Sequence, residues 1–300
     1  MVGKVAVVTR TKNRNLLLER ALKSVLEQTY DNYVHVVVND GGDSEKVDRL
    51  LDKYEDQYKG RLVRVHNEQS LGMEAASNKG IKAVDSEYVV IHDDDDSWEN
   101  TFLEMTVKEL ENNKFPSVKG VVTHTTQVFE SIDGGNVKEL WRREFDPWLS
   151  SVSLPMISEI NKFMPISFIY ERSVFDEIGY YDESLPVIGD WEFNIRFFSK
   201  YDIVVIKECL ANYYIREKAE KEAYSNTVTA GKDAHLFYRD IIVNKHIRND
   251  LESGSLTMGM LMAYGDYFHR SNGNTWRIVQ ILERLKNNKL TRVVRKVLKI

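Results

Sequence analysis

The chain has 300 residues, 42% hydrophobic and 29% charged, with 16 Gly and 5 Pro. That composition supplies an ample core and excludes a largely disordered, collagen-like or coiled-coil protein. A formal net charge of −5 gives no support to a general nucleic-acid binder, and a single cysteine, Cys209, excludes an intrachain disulfide framework and a Cys-rich zinc site while fitting a reducing compartment.

Taken in order, the first hundred residues alternate strand and helix. The β-branched run Val5–Val8 predicts a buried strand, and the opening around it turns polar too soon for a signal peptide. Leu16 to Gln28 carries Leu18, Ala21, Leu22, Val25 and Leu26 at helical spacing. Val34–Val38 predicts a second strand, closed by the turn Asn39-Asp40-Gly41-Gly42. A charged helix is expected from Ser44 to Tyr58, a strand over Arg61–Val65, a helix of small residues over Gly72–Val84, and a strand over Tyr88–Ile91. This rhythm predicts an α/β protein, Rossmann-like, with a mostly parallel mixed sheet and helices on both faces. Further on, Val118–Phe129, Ile166–Tyr170 and Asp202–Ile206 read as strands and Asp190–Lys200 as a helix. From about Lys232 the pattern is helical. The expected organisation is a catalytic domain over 1–230 and a helical C-terminal extension over 231–300. No apolar run reaches the roughly 18 residues of a membrane span, so a cytoplasmic protein is expected.

In open parallel sheets, ligands bind beyond the carboxyl ends of the strands. Three polar clusters fall there: Arg10-Thr11-Lys12-Asn13, Asn39-Asp40-Gly41-Gly42 and His92-Asp93-Asp94-Asp95-Asp96. The adjacent carboxylates Asp93 to Asp96 repel one another, and a hard divalent cation relieves that repulsion. The bland alternative is a solvated acidic turn, or an N-cap at Asp96 or Ser97 for a helix starting near Trp98. Asp40 reads either as a turn residue bonding local backbone or as a carboxylate accepting a base N–H, with its glycines allowing close ligand approach. Asp190, in Gly189-Asp190-Trp191-Glu192, reads either as a helix-start acid or as a general base.

These residues together resemble the family 2 glycosyltransferases of GT-A fold, over about residues 3 to 216. The family's opening Pro-Thr-Tyr-Asn-Arg corresponds to Arg10-Thr11-Lys12-Asn13-Arg14, and its strand-end Asp-Asp-Gly-Ser to Asn39-Asp40-Gly41-Gly42. Asn67, Gly72, Ala76, Asn78 and Gly80 follow its Asn- and Gly-containing stretch. Asp93-Asp94-Asp95-Asp96 with Trp98 follows its DXD motif, and Gly179 to Pro186 with Asp190-Trp191-Glu192 resembles the block holding its base. The resemblance implies a metal-dependent inverting glycosyltransferase taking a nucleotide-sugar, UDP-linked by preference, to a glycan or lipid-linked acceptor. It implies that Arg10, Thr11, Asp40, Asn67, Gly72, Asp93 and Asp94 serve the nucleotide-sugar, with Asp40 on the base. It implies Asp95 as ligand to Mn²⁺ or Mg²⁺ and Asp190 as general base. Arg10 and Lys12 replace the family's proline and tyrosine, and Ser77 stands where many relatives carry arginine. His235 is a candidate distal metal ligand.

Two rival readings are a GT-A-like nucleotidyltransferase, disfavoured by the lack of a glycine- and basic-rich loop after the first strand, and a non-catalytic glycan-binding subunit. Glu130 to Pro165 is a candidate acceptor or lid segment, because Trp141 and Trp148 can stack on sugar faces or fill core. Residues 277–300 carry +7 and residues 1–276 carry −12. The basic stretch reads as an amphipathic helix that either packs its apolar face on the catalytic domain or makes peripheral contact with the inner face of an anionic membrane.

Overall fold

The computed structural model describes residues 3–133, 135–219 and 232–268. The basic stretch 277–300 lies outside the described residues. The chain divides into two compact units, 1–238 and 239–300.

The first unit begins with β1 (Val5–Thr11), α1 (Asn15–Leu26), β2 (Tyr33–Asp40), α2 (Ser44–Asp52), α3 (Glu55–Tyr58), β3 (Leu62–Asn67), α4 (Met73–Lys82) and β4 (Tyr88–Ile91). The single helix expected over 44–58 is two, because the chain turns at Lys53–Tyr54 and α3 ends at Lys59 in the left-handed region. After β5 (Ser97–Trp98) come α5 (Phe102–Asn112), the long β6 (Val118–Asp133), β7 (Asn136–Phe145) and α6 (Leu154–Glu159). A 3₁₀ turn at Pro165–Ser167 leads to β8 (Phe168–Glu171), α7 (Val174–Ile178), α8 (Gly189–Phe198) and β9 (Asp202–Ala219). The helix α9 (Lys232–Ser253) crosses into the second unit, where residues 258–268 are also helical.

Among the described residues the strands form one sheet, ordered β3-β2-β1-β4-β8-β6-β9-β5, with β7 on the far half of β6. β3, β2, β1 and β4 are parallel neighbours. Beyond β4 the sheet turns mixed: β8 runs antiparallel to β4 and β6, and β9 parallel to β6. Both faces of the parallel half are covered, which explains why its strands are apolar without alternation. Val5 and Val7 join Leu18 and Leu22 of α1, Leu51 of α2 and Phe102 of α5 in one core. Successive residues face opposite ways, so Val8 points to the other side, where Gly80 of α4 sits against Val8 and Val38.

The acidic run is neither a solvated turn nor a cap. Asp94, Asp95 and Asp96 are buried, Ser97–Trp98 is a strand paired with β9, and the next helix starts at Phe102 with Thr101 as N-cap. Pairing with β9 draws this segment into the sheet edge and denies it to a helix. Trp98 anchors it further, donating its indole N–H to Ile166 O at 2.7 Å and stacking on Phe102.

Candidate active site

A cavity of about 540 Å³ gathers Arg10, Thr11, Asp40, Gly72, Asp93, Asp94, Asp95 and Asp190 around one space, together with Glu74 and His235. The parallel strands end on it, as their topology dictates: β1 delivers Arg10 and Thr11, β2 delivers Asp40, and the acidic run follows β4. Asn67 stands behind Asp40, to which it donates its side-chain N–H at 2.8 Å.

Asp40 is fully engaged by the protein. Its Oδ1 accepts from Asn67 Nδ2 and Leu71 N, and its Oδ2 from Ser70 Oγ and Gly72 N, at 2.7–3.1 Å. A carboxylate offers about four lone-pair sites, so a ligand N–H there competes with these donors. Burial pushes its pKa up, but the four donors outweigh burial and hold it below the usual range. Asp40 thereby pins the 68–72 loop that forms one wall. Gly41 serves the same loop: it has φ +72°, and a Cβ there would lie 2.3 Å from Ser70 N. The close approach at this glycine is made by the loop backbone.

The acidic run is neutralised from within. Arg14 grips Asp94 with Nη2 and Nε, and Thr11 Oγ1 donates to Asp94 Oδ2 at 2.6 Å. Arg216, from β9, donates to Asp95 Oδ2, and Arg14 Nη1 lies 3.4 Å from the same oxygen. Arg216 also reaches Glu130 of β6 at 3.1 Å, and Arg20 of α1 holds Glu130 with two hydrogen bonds and Asp95 O with a third. The Arg20 guanidinium lies 3.5 Å over the Tyr214 ring. Burial raises Asp94, and it raises Asp96 far above the carboxylate range. Burial acts on Asp95 too, yet Arg14 and Arg216 overcome it and lower its pKa. Asp96 accepts one hydrogen bond, from Tyr214 N at 2.9 Å, and its Oδ2 is buried without a partner, which suits a protonated carboxyl.

Beside Asp93, two of the chain's departures from the family pattern meet. Arg10 Nη1 donates to Ser77 Oγ at 2.5 Å, so a guanidinium from β1 fills the space over Ser77 of α4. Arg10 Nη2 pairs with Asp93 at 2.9 Å. Glu74, in the first turn of α4, is 4% exposed and packs against Gly189, where a Cβ would lie 2.5 Å from its carboxyl. Burial raises its pKa to about 7 against the pull of Arg10.

Asp190 is the second residue of α8, which opens at Gly189 directly after Ile188, a β-branched residue held at φ +56°. That backbone is strained for such a side chain, and it aims the helix N-terminus into the cavity. Asp190 Oδ2 accepts from Asn161 Nδ2 at 2.8 Å, and Asn161 Oδ1 accepts from Asn194 Nδ2 at 2.9 Å. Burial raises the Asp190 pKa, opposed by the Trp191 backbone N–H and Arg10. The 130–165 segment thus contributes Asn161 to the site. Its tryptophans differ: Trp141 stacks on Phe129 with ring centroids 3.6 Å apart, and Trp148 is 88% exposed.

Among the described residues no three of His, Cys, Asp and Glu converge as a protein-only metal cage. A cation bridging diphosphate oxygens asks less of the protein, typically one or two carboxylates. Asp95 and Asp93 on the cavity wall supply that donor set, and His235 lines the same cavity. The residues fit an open site, on condition that the cation displaces Arg216 and Arg14 from Asp95.

A mixed α/β sheet with an acidic cleft at its strand ends has the architecture of the GT-A fold. Residues 6–178 match the family described as Glycosyl transferase family 2, and the chain belongs to that family. It is 28% identical over 201 residues to the uncharacterized glycosyltransferase YwdF of Bacillus subtilis, covering 67% of this chain and 70% of that one. Among solved structures, S. aureus TarS 1–349 in complex with UDP-GlcNAc superposes with a TM-score of 0.56 at 17% identity, over 74% of this chain and 61% of that one. The mannosyltransferase PcManGT of Pyrobaculum calidifontis, in complex with GDP-Man and Mn²⁺, superposes with a TM-score of 0.52 at 18% identity, over 94% and 85%. The chain therefore spans about 60% of the TarS 1–349 chain.

The sequence reading missed Glu74, Glu130, Asn161, Arg20 and Arg216. Arg20 sits within a regular amphipathic helix and Arg216 within a long strand, so neither stood out by pattern. A Glu in the first turn of α4 reads as an ordinary dipole-favoured acid.

Proposed function

We propose that the protein is an inverting glycosyltransferase that moves a sugar from a nucleotide-sugar, UDP-linked by preference, to a hydroxyl of a glycan or lipid-linked acceptor. The observation that carries this reading is one cavity lined together by the end of β1, the acidic run and Asp190. Thr11, Gly72 and the loop pinned by Asp40 and Asn67 form the nucleotide wall. Asp94 holds Thr11 and Arg14 in place there, and Asp93 faces the cavity on the donor side. Asp93 and Asp95 would hold Mn²⁺ or Mg²⁺, which supplies charge neutralisation for the departing diphosphate.

Asp190 takes the proton from the acceptor hydroxyl as its oxygen attacks the anomeric carbon. The glycosidic bond to the diphosphate breaks on the opposite side, in one inverting displacement. Asn161 Nδ2 holds Asp190 Oδ2 and so fixes the carboxylate's orientation. A raised Asp190 pKa makes it a stronger base than an exposed aspartate. A lipid-linked acceptor would agree with the basic stretch 277–300, whose charge suits an anionic surface.

The test is turnover of UDP- and GDP-hexoses with Mn²⁺ and a panel of acceptors. Asp190→Asn is expected to lower transfer by about 10²–10⁴-fold with nucleoside diphosphate affinity unchanged. Unchanged transfer by that variant removes the general-base assignment.

A further inference from the structure

Glu74 is a costly residue, a carboxyl only 4% exposed. Its carboxyl is buried between Arg10 and the backbone of Gly189, one residue before Asp190. It lines the cavity, and its Oε2 has no hydrogen-bond partner. Arg10 Nη1 is the nearest cation, at 3.8 Å from Oε2, too far for a hydrogen bond. That nitrogen carries two protons and spends one on Ser77 Oγ. The pair therefore presents an unused acceptor and an unused donor separated by a gap. A hydroxyl oxygen about 2.8 Å from each atom closes that gap, donating to one and accepting from the other. Only a group that is donor and acceptor at once satisfies both, and a hydroxyl is such a group. Arg10 and Glu74 line the same cavity as Asp93 and Asp190, and Arg10 Nη2 pairs with Asp93 at 2.9 Å. In the proposed displacement the transferred ring would lie among these side chains.

We infer that Glu74 and Arg10 together bind one hydroxyl of the transferred sugar, Glu74 Oε2 accepting its hydrogen and Arg10 Nη1 donating to its oxygen, and so set which sugar the site takes. This rests on the nucleotide-sugar reading above. Glu74 is a specificity residue here and takes no proton from the acceptor.

The experiment compares the free nucleoside diphosphates UDP and GDP, the parent nucleotide-hexose, and its monodeoxy series, by calorimetry and by kcat/KM, on the full chain. With wild type, removal of one particular ring hydroxyl is expected to cost about 10–100-fold. In Glu74→Ala the same deoxygenation costs under threefold, while affinity for the nucleoside diphosphate alone stays within threefold of wild type. Arg10→Met loses discrimination at the same ring position, and Glu74→Gln, which keeps an acceptor oxygen, restores part of it. Circular dichroism establishes that each variant is folded. Should Glu74→Ala not fold, Arg10→Met and Glu74→Gln carry the test. Equal weakening of nucleoside diphosphate and nucleotide-sugar overturns the inference, as does discrimination unchanged in every folded variant or lost at different ring positions. Wild type that binds no nucleoside diphosphate overturns the glycosyl-transfer reading and this inference with it; the other results overturn the inference alone.

Discussion

Replacing Arg216 with methionine tests the internal neutralisation of the acidic run most directly. The Arg216 side chain is 0% exposed and bridges Asp95 and Glu130, themselves 11% and 1% exposed as side chains. Removing one partner of a buried ion pair costs about 3–5 kcal/mol, mostly the cost of stranding the opposite charge. Two features set the expectation near the lower end. Glu130 keeps two hydrogen bonds from Arg20, at 2.7 and 3.1 Å. Asp95 keeps Arg14 Nη1 at 3.4 Å. The expected loss is therefore about 3 kcal/mol, or a fall in Tm of about 6–12 °C for a unit of this size. The assay is thermal and urea unfolding followed by far-UV circular dichroism, on Arg216→Met, Asp95→Asn and the double variant. The double variant should recover at least about 1 kcal/mol relative to the sum of the singles, because each single strands what the other removes. A loss below about 1 kcal/mol, or strict additivity, refutes the claim that Arg216 holds Asp95 ionised. Mn²⁺ with UDP should also raise the Tm of Arg216→Met more than that of wild type, since the cation no longer competes with a guanidinium.

Asp40→Ala strands the Leu71 and Gly72 N–H groups and should cost about 2–4 kcal/mol, read by urea unfolding, and weaken nucleoside diphosphate binding by calorimetry. Because the folded pKa of Asp40 is depressed, its contribution is present above the unfolded value near 3.9 and is lost as pH falls through the folded one; Asp40→Asn should flatten that acid limb of the stability curve. Glu74 has the opposite sign. Its pKa is raised from 4.5 to about 7, so stability is lost as pH rises through that window, by about 3 kcal/mol, and Glu74→Gln should remove that part of the slope. Trp148→Ser should leave Tm within about 1 °C, because the side chain is 88% exposed; a raised KM for acceptor, with donor KM unchanged, would place Trp148 on the acceptor path.

The parallel half of the fold was legible because buried parallel strands are apolar throughout and their helices carry one apolar stripe, so Val5–Val8, Tyr88–Ile91 and α1 announce themselves. Thr11, Asp40, Gly72 and Asp93 to Asp95 could be placed in one cleft because strand ends in such a sheet share an edge. The residues that tune the site follow no period. Arg216 lies 121 positions from Asp95, and Glu130 lies 110 from Arg20; only the β6–β9 pairing and the contact of α1 with the acidic run bring them together. The resulting physics changes what the acidic run means. Adjacent carboxylates in a sequence suggest unrelieved repulsion that a cation must cure. Here Arg14 and Arg216 already relieve it at Asp94 and Asp95, and burial favours the protonated form of Asp96. A divalent cation at the proposed site would therefore meet charge that is already matched, and its affinity would be set by the difference between binding Asp95 and releasing Arg216. A bound nucleoside diphosphate would favour that exchange, since it offers anionic oxygens to a released guanidinium as well as to the cation. Cation binding should accordingly be weak alone and strong with nucleoside diphosphate, an ordering that calorimetry with Mn²⁺ before and after UDP measures directly.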